Sequence, residues 1–180
     1  MFGEDEKTEF MSKRIIETER LSKRYSVRKL GTDDVERIYS FCASHTIYYR
    51  YCGSKLTREV IENDLQITPP GISLEDKYYI GFFEEDELIA IMDLINGYPT
   101  DDEAFIGFFM INSQYEGKEL GSNLISELMQ YLKMQGFVAC RLGIDRDNPQ
   151  STHFWKKNGF TIEKEIVREH GAILTAARKI

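Results

Sequence analysis

The chain is short of the residues from which many sites are built. It has three cysteines, three histidines, four prolines and one tryptophan. Cys42, Cys52 and Cys140 are far apart, odd in number, and form no CxxC pair. That pattern argues against a disulfide-framed scaffold or a paired-thiolate metal site and reads as reduced, intracellular thiols. Cys140 lies in an apolar run and reads as core, with a nucleophilic thiol as the alternative. No metal-ligand set is assigned. No apolar segment reaches the roughly 20 residues that cross a bilayer. Positive charge is in deficit, with 23 Lys and Arg against 30 Asp and Glu and a net charge of −7. This argues against nucleic acid or an anionic membrane as partner, since both demand basic surface. A polyanionic ligand must then rely on local donors, and an acidic surface suits a cationic, amine-bearing substrate. Residues 1–14 are acidic and lack the basic-then-apolar plan of a signal peptide. They are expected to form a flexible tail on a cytoplasmic protein.

What is present is an ordinary globular balance. The 180 residues are 42% hydrophobic and 29% charged, enough for one domain with a real core. Arg24–Leu30 alternates as a first strand does. Asp33–Ala43 is expected to be helical, with Val35, Ile38, Tyr39 and Cys42 on one face. A second helix begins at Thr57, with capping-box character, and stops near Pro69-Pro70. Three strands follow, Tyr78–Phe83, Leu88–Ile95 and Ala104–Ile111, the first two joined by the charged turn Glu84–Glu87. A long helix ends near Gly136. Val138–Ile144 is the next strand. A short helix has Pro149 in its first turn and Asn158-Gly159 at its end. Phe160–Val167 and Ala172–Arg178 close the chain as a hairpin around His170-Gly171. The expectation is one α/β domain over residues 15–180, with a mixed, mostly antiparallel central sheet flanked by helices and a ligand site at the carboxyl ends of separating strands.

One stretch organises this chain: Gln114-Tyr-Glu-Gly-Lys-Glu-Leu-Gly-Ser122. A buried strand precedes it. Apolar residues at helical spacing, Leu120, Leu124, Ile125, Leu128 and Leu132, follow it. Such a turn exposes the first backbone N–H groups of the helix, which lack intrahelical partners and favour an anion. Gly117 and Gly121 allow close approach of a ligand.

This element order resembles the GNAT superfamily of acyl-CoA-dependent N-acyltransferases. Ile15-Ile-Glu-Thr-Glu-Arg-Leu21 with Val27-Arg-Lys-Leu30 is similar to the family's opening strand, with two extra residues between. Tyr115–Ser122 is similar to its pyrophosphate loop. Asn148, Ser151, Phe154 and Trp155 have the spacing of its second cofactor motif, and Lys157-Asn-Gly-Phe160 resembles its closing signature. The resemblance implies acetyl-CoA as acetyl donor. Met110 and Ile111 would contact the pantetheine arm, and the backbone from Gly117 through Lys118, Glu119, Leu120 and Gly121 to Ser122 would hold the phosphates. Asn148 and Ser151 would bond the arm, with Phe154 and Trp155 packed beside it; plain helix-face core is the other reading of those two rings. The strands ending near Ile111 and Ile144 would splay apart around the arm.

Two departures from the family pattern stand out. Its loop prefers Arg or Gln where this chain has Glu116, and glycine where it has Glu119. A left-handed backbone at Glu119 would cost about 1–2 kcal/mol. A carboxylate about 4 Å from a phosphate charge would cost about 1–4 kcal/mol. Lys118, Lys156 and Lys157 are the cations that offset it. The second departure is Trp155, where many members carry a tyrosine that protonates the departing thiolate. An indole N–H is only a donor, so Tyr98 and His153 are the alternatives for that role. A thiolate with an ordinary pKa near 8.5 also leaves without a strong acid.

The implied reaction is direct attack of a primary amine, on a small molecule or a protein, on the acetyl thioester. For the general base, Asp93 is the first candidate, as the charged residue inside the apolar strand Leu88–Ile95; Glu103 or a bound water are the alternatives. Tyr48 and Tyr49, with Tyr51, are candidates for an aromatic acceptor pocket. A homodimer follows from family habit. A degenerate acyltransferase fold that binds acyl-CoA without turnover is the competing reading, and a nucleotide-binding interaction protein is a third.

Overall fold

The computed structural model describes residues 14–45, 55–169 and 171–180. Tyr48, Tyr49 and Tyr51, the tail before residue 14, and His170 lie outside the described residues.

The strands are β1 (Ser26–Lys29), β2 (Lys77–Glu84), β3 (Glu87–Asn96), β4 (Glu103–Ile111), β5 (Ala139–Asp145), β6 (Thr161–Val167) and β7 (Ala172–Lys179). The helices among the described residues are α1 (Val35–Ala43), α2 (Arg58–Gln66), α3 (Leu120–Met134) and α4 (Pro149–Lys157). The sheet order is β1-β2-β3-β4-β5-β7-β6. Among the described residues only β4 and β5 pair in parallel, and the other pairings are antiparallel.

The expected element order holds, and the local signals explain it. The Thr57 hydroxyl caps α2 by accepting from Val60 N–H at 3.1 Å. Asn148 caps α4 by accepting from Ser151 N–H at 3.0 Å, with Pro149 at the first helical position. Gly136 and Gly159 close α3 and α4 with positive φ. One stretch differs from its sequence reading. Thr18–Arg20 is a 3₁₀ turn and only Ser26–Lys29 is strand. The backbone N–H groups of Ile16 and Glu17 go to the Tyr78 and Tyr131 hydroxyls instead of to a strand partner.

Two apolar layers sandwich the sheet. One packs α3 and α4 on Ile80, Phe82, Ala90, Met92, Leu94 and Ile106. The other packs α1 and α2 on Tyr79, Phe83, Leu88, Ile91 and Met110. Strands β2 and β3 read as nearly unbroken apolar runs because both of their faces are covered.

Candidate active site

Strands β4 and β5 pair from Glu103↔Ala139 to Ile106↔Leu142 and no further. Both run on, to Ile111 and Asp145, so a V opens between them. The break coincides with a bulge: the β3–β4 register passes from Leu94↔Ile106 to Asp93↔Phe108, leaving Gly107 unpaired. A bulge bends its strand and increases the local twist, which turns the end of β4 away from β5.

The V exposes β4 backbone. Asn112 N–H donates to the Ile89 carbonyl at 2.8 Å, and the register continues as Ile111↔Ala90, Met110↔Ile91 and Phe109↔Met92. Bonded and non-bonded pairs alternate along an antiparallel ladder. Met110 therefore bonds to β3, while Phe109 and Ile111 direct their N–H and C=O groups into the gap that β5 has left.

The gap is one wall of a cleft of about 510 Å³. Its far wall is the turn before α3. Gly117 has φ +72° and Glu119 φ +61°, both left-handed. The first backbone bond of α3 runs from Asn123 N–H to Glu119 C=O, so Leu120, Gly121 and Ser122 present their N–H groups at the helix N-terminus. Gly121 is needed for close approach: a Cβ there would lie 3.1 Å from the Phe154 ring. Helix α4 supplies the third wall through Asn148, Ser151, His153, Phe154, Trp155 and Lys157. Phe109 stacks on Phe154 with centroids 6.0 Å apart, and Trp155 meets Phe160 edge-on at 5.1 Å. Trp155 belongs to the core and also borders the cleft, and Phe154 packs against that core from the cleft side.

The loop carboxylates have partners. Lys157 Nζ lies 2.6 Å from Glu119 Oε1, both side chains about half exposed. Glu116 Oε1 lies 3.9 Å from Nε2 of buried His45. Lys118 is not among the cleft-lining residues; its ammonium sits over the Tyr115 ring at 5.7 Å.

Asp93 stands at the apex of the V, on the face that α1 and α2 cover. Its Oδ2 accepts from Lys77 Nζ at 2.6 Å, and the Lys77 side chain is 2% exposed. Its Oδ1 is buried with no hydrogen-bond partner. A Cβ on Gly107 would fall 2.8 Å from Oδ2, so the carboxylate lies directly over the bulge. Burial raises its pKa above the ordinary carboxylate range, and the Lys77 charge opposes that rise. Burial likewise raises Asp64 of α2, with Lys77 lowering it and Asp93 adding to the rise.

Residues 33–160 match the family described as Acetyltransferase (GNAT) family. The chain belongs to the GNAT acetyltransferase family. It is 24% identical over 148 residues to a spermidine N(1)-acetyltransferase of Thermoplasma acidophilum, covering 76% of this chain and 88% of that one. An acetyltransferase structure from Thermus thermophilus superposes with TM-score 0.70 at 17% identity, over 87% of this chain and 97% of that one. A PaiA N-acetyltransferase from Thermoplasma acidophilum, solved with coenzyme A, gives TM-score 0.61 at 21% identity, over 87% and 99%.

In this GNAT chain the structure gathers Met110, Ile111, Glu116, Gly117, Glu119, Leu120, Gly121, Ser122, Asn148, Ser151, Phe154, Trp155 and Lys157 around one cleft. Asp93 is one strand and one residue row away from it. Tyr98 is not brought there: it packs edge-on to Phe105, at 5.3 Å, near the start of β4, whereas the cleft lies at that strand's end. Glu103 is buried at that same remote end, bound to Arg141 at 2.9 Å. Sequence reasoning missed Ser44, His45, Phe109, Ser113 and Gln150, which also line the cleft. Phe109 followed from the alternation of β4. His45 carried no sequence signal, because only the tertiary fold carries the end of α1 to the end of β4. Cys140 is fully buried and its thiol is pushed well up by desolvation, as suits core. Among the described residues no His, Cys, Asp and Glu group is placed to hold a metal. No described helix is long and apolar enough to cross a membrane.

Proposed function

We propose that this chain transfers the acetyl group of acetyl-CoA to a primary amine by direct attack in a ternary complex. The observation that carries this reading is the V between β4 and β5. It opens straight onto the N-terminus of α3, with the Phe109 and Ile111 backbone turned inward. An amide-bearing acyl arm adds to such an edge as a strand would, and its phosphates meet the helix N-terminus. Asn148 and Ser151 of α4 flank the arm, and Phe154 and Trp155 exclude water beside it.

In the reaction the neutral amine attacks the thioester carbon, the C–S bond breaks, and the thiolate of coenzyme A leaves. The nitrogen gives up a proton as the C–N bond forms. Asp93 receives it, directly or through one water. Its unpartnered Oδ1 and raised pKa support that role. Trp155 offers no acid; His153, exposed on α4 and lining the cleft, is our candidate to protonate the leaving sulfur. The acidic balance of the chain, and the spermidine acceptor named for the Thermoplasma acidophilum relative, favour a cationic amine. We extend the proposal to a homodimer through the closing hairpin, whose outer strand leaves Ile166 and Val167 exposed; molar mass in solution tests it.

Thermal stabilisation by acetyl-CoA, followed by coenzyme A release across a panel of di- and polyamines, tests the activity. At a hundredfold excess over Kd, binding adds about 2.7 kcal/mol. Stabilisation with no turnover on any amine favours the non-catalytic reading, for which Glu116, Glu119 and Trp155 speak. No stabilisation by acetyl-CoA refutes the cofactor site.

A further inference from the structure

His45 lies just past α1, at the joint of three elements. It is buried and lines the cleft beside Ser44. Its ring stacks on Phe41 at 5.3 Å. Nδ1 lies 3.0 Å from both the Ser44 hydroxyl and the Phe41 carbonyl. Nε2 faces the Ile111 carbonyl oxygen. A carbonyl only accepts, so Nε2 donates to Ile111 in the tautomer in which Nδ1 accepts from the Ser44 hydroxyl. The same nitrogen is 3.9 Å from Glu116 of the loop.

The Ile111 carbonyl is the last backbone acceptor of β4 that turns into the V. Below it on the same edge are the Ile111 N–H and the Phe109 C=O and N–H. We infer that His45 is a positioning residue: by capping the Ile111 carbonyl it ends the strand edge offered to the acyl carrier and fixes where the pantetheine arm leaves β4 for the loop. This rests on the acyl-CoA reading above. The physical reason is the two-residue repeat of a strand edge. An extended amide arm can pair in any phase that finds donors and acceptors in order. With the Ile111 carbonyl held by the imidazole, the groups left are Phe109 C=O, Phe109 N–H and Ile111 N–H, and one phase uses them all. His45 touches neither the reacting atoms nor the phosphates in this scheme.

The test compares two ligands by calorimetry on the full chain. Coenzyme A contains the arm; adenosine 3′,5′-bisphosphate carries phosphates without it. His45→Phe keeps the ring and removes the donor. It is expected to weaken coenzyme A roughly tenfold, because the half-buried Ile111 carbonyl loses the donor that pre-organises this end of the edge, and to leave the bisphosphate unchanged. His45→Gln places an amide N–H near the position of Nε2 and is expected to recover most of the coenzyme A affinity. Equal losses for both ligands, or no loss for either, overturn the inference, because a merely structural role moves both together. Should His45→Phe fail to fold, His45→Gln decides alone: near-wild-type affinity for both ligands supports the donor role, and a selective loss of coenzyme A overturns it. Wild-type protein that binds neither ligand refutes the cofactor reading, and this inference with it.

Discussion

Replacing Glu119 separates two costs that this chain carries at one residue. Glu119 is the residue before α3, held at φ +61° and ψ +3°. A non-glycine residue in that region costs about 1–2 kcal/mol. Its carboxylate borders the cleft that would hold the diphosphate, and two charges 4 Å apart interact by about 1 kcal/mol in water and about 4 kcal/mol near a protein surface. Lys157 at 2.6 Å offsets part of that repulsion. Glu119→Gln removes the charge and keeps the strained backbone. Glu119→Gly removes both. Each gives up the Lys157 ion pair, which is exposed and worth about 0.2–1 kcal/mol, and each releases the Lys157 ammonium toward the ligand. Both variants are therefore expected to bind acetyl-CoA at least about tenfold more tightly, the equivalent of about 1.4 kcal/mol. The gain should shrink at high salt, since the groups are solvent-exposed. Glycine should exceed glutamine in stability by about 1 kcal/mol, or roughly 2–4 °C in Tm for a chain of this size. Calorimetric titration at two salt concentrations and thermal melts without ligand read the two effects separately. Unchanged affinity in both variants at low salt would refute the placement of the phosphates at this turn. Equal melting of the two variants would refute the strain.

Asp93→Asn is expected to abolish acetyl transfer while keeping acetyl-CoA affinity, and to lower Tm. Leaving buried Lys77 unpaired costs about 3–5 kcal/mol, so Asp93→Asn with Lys77→Met should recover the melt without recovering activity. In the wild type, turnover should fall as pH drops through a value above the ordinary carboxylate range, because the base must be ionised and burial raises Asp93. The same raised pKa makes the Asp93 contribution to stability fully present below the unfolded value and lost as pH rises through the folded one; the double variant should lack that component of the slope in pH-dependent melts. Gly107→Ala puts a methyl 2.8 Å from Asp93 Oδ2. It should cost about 1–3 kcal/mol of stability and reduce turnover more than cofactor affinity. Gly121→Ala crowds the Phe154 ring at 3.1 Å and should weaken acetyl-CoA binding, as calorimetry would show, with a smaller change in Tm.

Most of the element order was legible because its signals are local. The Thr57 and Asn148 caps, Pro149, the glycine-bearing turn and the 3.6-residue pattern of α3 act within one or two turns of chain. Glu119 was legible too: a residue other than glycine in that loop implied strain, and its φ of +61° bears this out. Asp93 was conspicuous as a charge inside an apolar strand. Its partner Lys77 was not, because Lys77 opens its own strand and looks like an ordinary charged end. Ile15–Leu21 was misread in part, because its backbone donors go to two tyrosine hydroxyls from distant elements.

The sequence by itself determined the α/β class, the order of strands and helices, and the glycine-bearing turn that borders the cleft, since each is encoded by periodicity and turn chemistry over short spans; the α4 residues of the cleft were marked by the family resemblance instead. Only the tertiary structure decided that β4 and β5 part after Ile106 and Leu142, that Asp93 lies over Gly107 with Lys77 on one oxygen, that Tyr98 sits at the far end of β4, and that His45 meets Ile111. Those facts depend on contacts across tens of residues, set by sheet register and helix docking, and no local pattern carries them.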